Sequence, residues 1–324
     1  MTALRDRLET QQVKIYFGTI IVAVLLSLAI PATIKLEATI NPALALMLFV
    51  TFLQVPLADL GRAFLQLRFL AALLFANFVA MPLLVLGLIQ FLPPEPMVRL
   101  GVLFVLLTPC IDYVVTFSHI GRADAKLLLA STPALLVLQM LLLPIYLGLF
   151  LGEDAADLVH IGPFLHAFVW LIAIPLVLAA LVQLGAAYNA KAKTFSGLLG
   201  LLPVPATAFV LFMVFASVVP QLSLTFDSAL RAVPIYMAYA VSAPLIGWGI
   251  GRLAGLNTPA GRAIAFSAAT RNSLVVLPLA FAVPNAMPLL PAIIVAQTVV
   301  ELVSSLFYMR IMPRIGNGRI AAVP

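Results

Sequence analysis

The stretch Ser267-Ala268-Ala269-Thr270-Arg271-Asn272-Ser273-Leu274-Val275-Val276-Leu277-Pro278 places a permanent cation inside a long run of otherwise membrane-like sequence. A guanidinium at the centre of a bilayer costs from about 3 to more than about 10 kcal/mol, depending on the reference, so intramembrane ionisable groups face a cavity and a partner. Three ionisable groups fall deep inside the expected spans: Asp112, Arg271 and Glu301. Together they mark one candidate solute site.

Composition sets the solvent around that stretch. Of 324 residues, 64% are hydrophobic and 9% charged, and the mean hydropathy is +1.16, well outside the soluble range. Hydrocarbon offers backbone groups no water partners, so spans must be helices or a closed barrel, and these apolar runs are too long and too unalternating for barrel strands. The expected fold class is an all-α polytopic membrane protein. The single cysteine excludes an internal disulfide and a multi-Cys metal site, and no cofactor is indicated. The net charge of +6 is spread over short loops with no basic patch interleaved with aromatics, which argues against nucleic acid as a partner.

Hydropathy gives ten spans, at roughly 15–33, 41–59, 68–91, 97–119, 125–150, 163–185, 202–220, 232–251, 262–283 and 289–311. No small-residue cleavage site follows the first, which is read as retained. With the loops assigned alternately to two sides, one side receives fourteen Lys and Arg: Arg5, Arg7, Lys14, Arg62, Arg68, Arg122, Lys126, Lys191, Lys193, Arg252, Arg262, Arg310, Arg314 and Arg319. The other receives three, Lys35, Arg99 and Arg231, together with Glu95, Glu153, Asp154, Asp157 and Asp227. Basic loops stay in the cytoplasm, so both termini are expected there, with the protein multi-pass in the plasma (inner) membrane.

The longest interruption, 151–162, divides the chain into 1–150 and 163–324, with five spans in each part. Because five is odd, two related halves lie in the membrane with opposite orientation, as in many secondary transporters. Sliding the chain by 162 residues puts Phe78-Val79-Ala80-Met81-Pro82-Leu83-Leu84 over Ala240-Val241-Ser242-Ala243-Pro244-Leu245-Ile246, Cys110 over Asn272, and Gln139 over Glu301. The same shift superposes the two most irregular spans, the fourth and the ninth.

Each of those spans carries polar groups and a helix breaker in mid-membrane. In the fourth, Thr108-Pro109-Cys110-Ile111-Asp112-Tyr113 interrupts a run of Val and Leu, and Pro109 has no N–H to give a carbonyl one turn back. In the ninth, Thr270-Arg271-Asn272-Ser273 forms a comparable cluster with Pro278 beyond it. Unwound backbone at membrane depth is tolerated where it lines a cavity; half-helix N-termini there suit anions, and half-helix C-termini suit cations. Two crossed, interrupted helices are therefore expected to build a midplane site. Either Asp112 and Arg271 form a buried ion pair, or Arg271 holds an anionic or polar solute while Asp112 titrates. Gln297 and Glu301 share a face of the tenth span, and Glu301 has no basic neighbour in sequence. A carboxyl that is costly to ionise in low dielectric suits a proton relay. Asn77 in the third span either orients the site or packs helices. Cys110, at the break, offers a soft sulfur to a thiophilic solute such as As(III).

At these residues the chain resembles the arsenite-efflux branch of the bile acid/arsenite/riboflavin transporter superfamily, the Acr-type arsenical-resistance permeases. Pro109-Cys110-Ile111-Asp112-Tyr113 and Phe117-Ser118-His119-Ile120-Gly121-Arg122-Ala123-Asp124 resemble the fourth-span motif of that branch, and Ala268-Ala269-Thr270-Arg271-Asn272 its Ala-Ala-Gly-Asn-Asn motif. Glu301 and Asn77 match its tenth-span glutamate and third-span asparagine. The resemblance implies ten helices in an inverted repeat, a core domain of spans three to five and eight to ten, and a panel of spans one, two, six and seven. It also implies that Cys110 is the functional cysteine. The chain departs from the branch where Pro109 replaces an arginine and Leu274 a glutamate, while Asp112 and Arg271 are added. Sodium-coupled bile acid relatives place an acid where this chain has Arg271, so no sodium dependence is expected.

The function these observations lead to is a secondary active transporter exporting As(III) or a related small solute or oxyanion by alternating access. Substrate contacts are assigned to Cys110, Asp112, Arg271, Asn272 and Asn77, proton coupling to Glu301 and Asp112, and support to Thr108, Pro109, Gln139, Thr270, Ser273 and Gln297. The alternative is an organic-anion symporter of the bile acid:sodium type. Enzyme chemistry is disfavoured: an intramembrane aspartyl protease needs two facing Asp, while His119, His160 and His166 form no H-E-x-x-H and no G-x-S-x-G elbow is present.

Overall fold

The structure, a computed structural model, describes residues 2–54, 66–111, 113–152, 162, 165–166, 169–281, 283 and 286–316. Asp112, Arg62, His160, Arg319 and the acidic residues of the 151–162 connection lie outside the described residues.

Among the described residues the chain is helical almost throughout. Eight helical stretches are long and apolar enough to cross a membrane. In chain order the helices are α1 (Thr2–Ala29), α2 (Ile40–Phe52), entered through a 3-10 segment at Pro31–Thr39, and α3 (Leu67–Phe91). The fourth span is split into α4 (Pro96–Leu106) and α5 (Tyr113–Ile120). There follow α6 (Ala125–Leu151), α7 (Val169–Tyr188), the short α8 (Ala190–Leu199), α9 (Pro203–Val218) and α10 (Phe226–Leu253). The ninth span is split into α11 (Thr258–Ala269) and α12 (Ser273–Phe281), and α13 (Leu289–Ile311) closes the bundle. The first helix begins well before the expected position 15. A polar first turn outside hydrocarbon carries no hydropathy signal, yet it continues the helix, with Arg5 paired to Glu9 one turn on.

The helices sort into two groups. Helix α9 packs on α1 and α2, and α2 on α7, while α10 packs along α11 and α13, and α4 and α12 pack against α13. Close approach of α10 to α11 depends on small residues. A Cβ on Gly247 would lie 2.8 Å from the Ala268 Cβ and 2.9 Å from the Ala265 Cα, and one on Gly251 would lie 2.8 Å from the Gly261 Cα.

Prolines inside helices free carbonyls that no water can satisfy in hydrocarbon. Pro82 in α3 leaves the Phe78 carbonyl without a main-chain donor, and the Tyr146 hydroxyl of α6 donates to it. Pro244 in α10 does the same to Ala240, and the Tyr308 hydroxyl of α13 donates there. The two arrangements are superposed, donor on donor and acceptor on acceptor, by the 162-residue shift.

Charged groups gather at opposite ends. Arg231 pairs with Glu95 at 3.1 Å. At the other end Arg262 donates to the carbonyls of Ile315 at 2.7 Å, Pro313 at 2.9 Å and Arg122 at 3.2 Å. The sequence places Arg262 in a loop, whereas the structure buries it at 4% exposure. There it ties α11 to the turn before α6 and to the residues that follow α13.

Candidate functional site

The two broken spans meet back to back. Thr108, Pro109 and Cys110 run extended past Thr270, Arg271 and Asn272, with Pro109 and Arg271 facing each other in an antiparallel bridge. The Cys110 N–H donates to the Thr270 carbonyl at 3.1 Å, and the Asn272 N–H donates to the Thr108 carbonyl at 2.8 Å. Each bond becomes the other under the 162-residue shift. The threonines obey the same relation: the Thr108 hydroxyl donates to the Phe104 carbonyl and the Thr270 hydroxyl to the Phe266 carbonyl, at 2.9 and 2.8 Å. At Phe104 the hydroxyl takes the place of the Thr108 N–H, which turns to Val105, and at Phe266 it joins the Thr270 N–H at 3.1 Å. A bridge between unwound segments thus supplies the hydrogen bonds that hydrocarbon cannot.

Arg271 is fully buried, at 0% exposure. Its Nη2 donates to the Ser267 carbonyl at 2.8 Å, the Ala268 carbonyl at 2.7 Å and the Asn77 Oδ1 at 2.9 Å. Its Nη1 reaches the Leu106 carbonyl at 3.4 Å. The Tyr239 ring lies 5.4 Å from the guanidinium carbon, in cation–π range, and the Tyr239 hydroxyl donates to the Ala268 carbonyl at 2.8 Å. Among the described residues no carboxylate lies within salt-bridge distance of the guanidinium. The ion pair with Asp112 considered from the sequence concerns a residue outside the described set.

Asn77 sits in a π-helical turn, Ala76–Ala80, of the kind that re-aims side chains at functional positions. Its Nδ2 donates to the Ser267 hydroxyl at 2.9 Å and the Leu73 carbonyl at 3.1 Å. It is both an orienting group and a helix-packing one.

Glu301 is buried beside the bridge and takes three donors. The Arg271 main-chain N–H reaches Oε2 at 2.7 Å, the Gln297 Nε2 reaches Oε2 at 2.6 Å, and the Tyr113 hydroxyl reaches Oε1 at 2.6 Å. Gln297 and Glu301 do share a face. Ser273 at the start of α12 accepts from the Thr298 hydroxyl of α13 at 2.9 Å. Cys110 is buried in the crossing. Gln139 is buried in α6 with both amide atoms lacking a partner among the described residues, as do the Asn272 Nδ2, the Gln297 Oε1 and the Arg271 Nε.

The structure therefore joins Asn77, Thr108, Pro109, Cys110, Thr270, Arg271, Asn272, Gln297 and Glu301 through the bridge, with Ser273 beside it. No hydrogen bond ties Gln139 to them, and Asp112 lies outside the described residues. Three contributors were not assigned roles from the sequence: Tyr113, Tyr239 and Ser267. Tyr239 carried a usable signal, since the shift that relates the two breaks places it over Asn77, and both side chains touch the guanidinium.

Comparison with curated proteins returned no match. A model of the Sodium Bile acid symporter family matches residues 41–224, which is more than half of the chain and includes the first of the two breaks, so the protein belongs to that family.

Proposed function

We propose that the protein is a secondary active transporter, built from two inverted five-helix repeats with ten crossings, that exports As(III) or a related small uncharged solute by alternating access, driven by inward proton movement. Family membership supports solute transport across a membrane. The repeat is supported by hydrogen bonds that map onto one another under a single shift, at the bridge and at both proline kinks.

The observation that carries the solute reading is the orientation of Arg271. Its Nη atoms are turned to carbonyls and to Asn77, so the chief reason for expecting an anion is weakened. The crossing also carries the sulfur of Cys110, which suits a thiophilic neutral species, and the Asn272 Nδ2, which has no partner among the described residues. Glu301 is the proton carrier in this scheme. With the carboxylate ionised, Tyr113 donates to Oε1; once Oε1 takes a proton it donates to the hydroxyl oxygen in turn, so this contact persists in both protonation states.

Cells lacking their own arsenite exporter are expected to accumulate less arsenite when they express the protein. Everted vesicles are expected to take up arsenite faster under an imposed pH gradient, and Glu301→Gln to abolish that stimulation. Unchanged accumulation across several arsenicals defeats the substrate assignment, and indifference of vesicles to pH defeats the Glu301 relay. The family match favours a second reading, uptake of an organic anion. Cys110→Ser separates the two: loss of transport supports As(III) ligation, and full retention supports the organic anion.

A further inference from the structure

The family description names sodium as the coupling ion, and the oxygens at the crossing are of the kind that hold one. Half-helix C-termini present carbonyl oxygens and the negative end of the helix dipole, and in transporters with broken helices these ends coordinate the driving cation. Here α4 ends at Leu106, and Ser267 and Ala268 lie in the last turn of α11. The carbonyls of all three, together with the Asn77 Oδ1, point at one locus. Leu106 and Ala268 are related by the 162-residue shift, so the locus draws equivalent carbonyls from both halves of the chain. Asn77 and Tyr239 are related in the same way, and both contact whatever sits there. The locus is already filled: the Arg271 guanidinium accepts no substitute while it holds all four oxygens. Sodium does not fit these residues as they stand.

We propose that Arg271 is a built-in cation, which occupies the carbonyl cage at the C-terminal ends of the two broken helices in place of a coupling ion, and whose removal exposes a site for a small monovalent cation. A purely structural arginine explains the same hydrogen bonds but not the chemistry of the set. Every hydrogen-bond partner of the guanidinium is a neutral hard oxygen, the kind of group that holds Na⁺ or K⁺, and the described residues provide no carboxylate counter-ion at the guanidinium. Among the described residues the groups turned to the guanidinium are dipoles, as they are around an ion held between half-helices. The inference rests on membership of a transporter family and not on the identity of the solute.

Thermal unfolding of the purified full-length protein, in lipid nanodiscs containing NaCl, KCl or choline chloride at equal ionic strength, tests this without a transport assay. The wild-type melting temperature is expected to be the same in the three salts. Arg271→Ala is expected to melt lower in choline chloride and to be restored in a saturable way by NaCl or KCl, with binding of radioactive sodium that the wild type lacks. Arg271→Lys, which keeps the charge, is expected to be indifferent to the salt. Saturable stabilisation of the wild type by sodium overturns the proposal. So does an Arg271→Ala protein that folds equally in all salts, or one that is recovered aggregated whichever salt is present during extraction. None of these outcomes depends on whether arsenite is exported, so failure of the substrate assignment is read separately.

Discussion

At Arg271 the energetic problem is the desolvation of a guanidinium, and the described residues around it meet that cost with dipoles. Ser267, Ala268 and Leu106 each contribute a carbonyl from a helix end, where the macrodipole already favours a cation. Two like charges 4 Å apart repel by about 4 kcal/mol at an effective dielectric of about 20, which is enough to exclude a sodium ion from the same oxygens at ordinary concentrations. Asn77 is the one side-chain acceptor in the set, and it also holds the Ser267 hydroxyl. Asn77→Ala should therefore leave a guanidinium N–H and a buried hydroxyl unpaired and destabilise the protein by about 2 to 4 kcal/mol, read as a lowered melting temperature in detergent or nanodiscs. Asn77→Asp, which keeps an acceptor and adds a counter-charge, should lose much less; equal loss for both variants contradicts the assigned role. The importance of Arg271 was plain from the sequence, because every other Lys or Arg falls at a span end or in a loop. Its partners were not, since most are main-chain carbonyls, which every residue has and which sequence therefore cannot single out. Tyr113 and Tyr239 were hidden for a related reason: an aromatic residue in an apolar run is ordinarily core, and only the fold aims its hydroxyl.

Among the elements, the breaks were legible and the repairs were not. Proline with neighbouring polar groups in mid-membrane marked both interruptions, and α4 does stop at Leu106 and α11 at Ala269. The π-helical turn of α3 left no mark, because its residues, Ala76 to Ala80, are as compatible with an ordinary turn. The kinks at Pro82 and Pro244 aligned in sequence, but the tyrosine hydroxyls that repair them lie more than sixty residues away on α6 and α13. These two contacts give a paired test. Tyr146→Phe and Tyr308→Phe each remove one hydroxyl and leave one carbonyl unsatisfied in hydrocarbon, at a cost of about 1 kcal/mol or somewhat more. The two losses should match within a few tenths of a kcal/mol and should add in the double variant, because the two hydroxyls bond different carbonyls, Phe78 and Ala240. A large loss at one site and none at the other, by thermal or denaturant unfolding, removes the equivalence that the 162-residue shift implies.

For the molecule as a whole, the proposed inverted repeat makes a demand that hydrogen bonds within the bundle cannot test. If the chain carries an odd number of crossings per half, any residue and the one 162 positions later leave the membrane on opposite faces. The exposed pair Gln90 and Arg252 and the exposed pair Lys35 and Gly197 both satisfy that relation and lie at or beyond helix ends. In a Cys110→Ala background, which removes the single native thiol, one cysteine is introduced at each of these positions in turn and treated with a membrane-impermeant maleimide. Lys35→Cys and Gln90→Cys should label in intact cells, whereas Gly197→Cys and Arg252→Cys should label only after permeabilisation, since the basic side is the cytoplasmic one. Labelling of both members of a pair from the same face means a parallel arrangement, and then the bridge between Pro109 and Arg271 is not the meeting of two inverted halves. Opposite-face labelling carries a mechanistic consequence. Two halves with the same fold and opposite orientation can exchange conformations, so the state open to one side mirrors the state open to the other, and the crossing between them is the one place both states share. Arg271 lies at that crossing with carbonyls from both halves on its guanidinium, which is where a fixed charge can stay in place while the helices move around it.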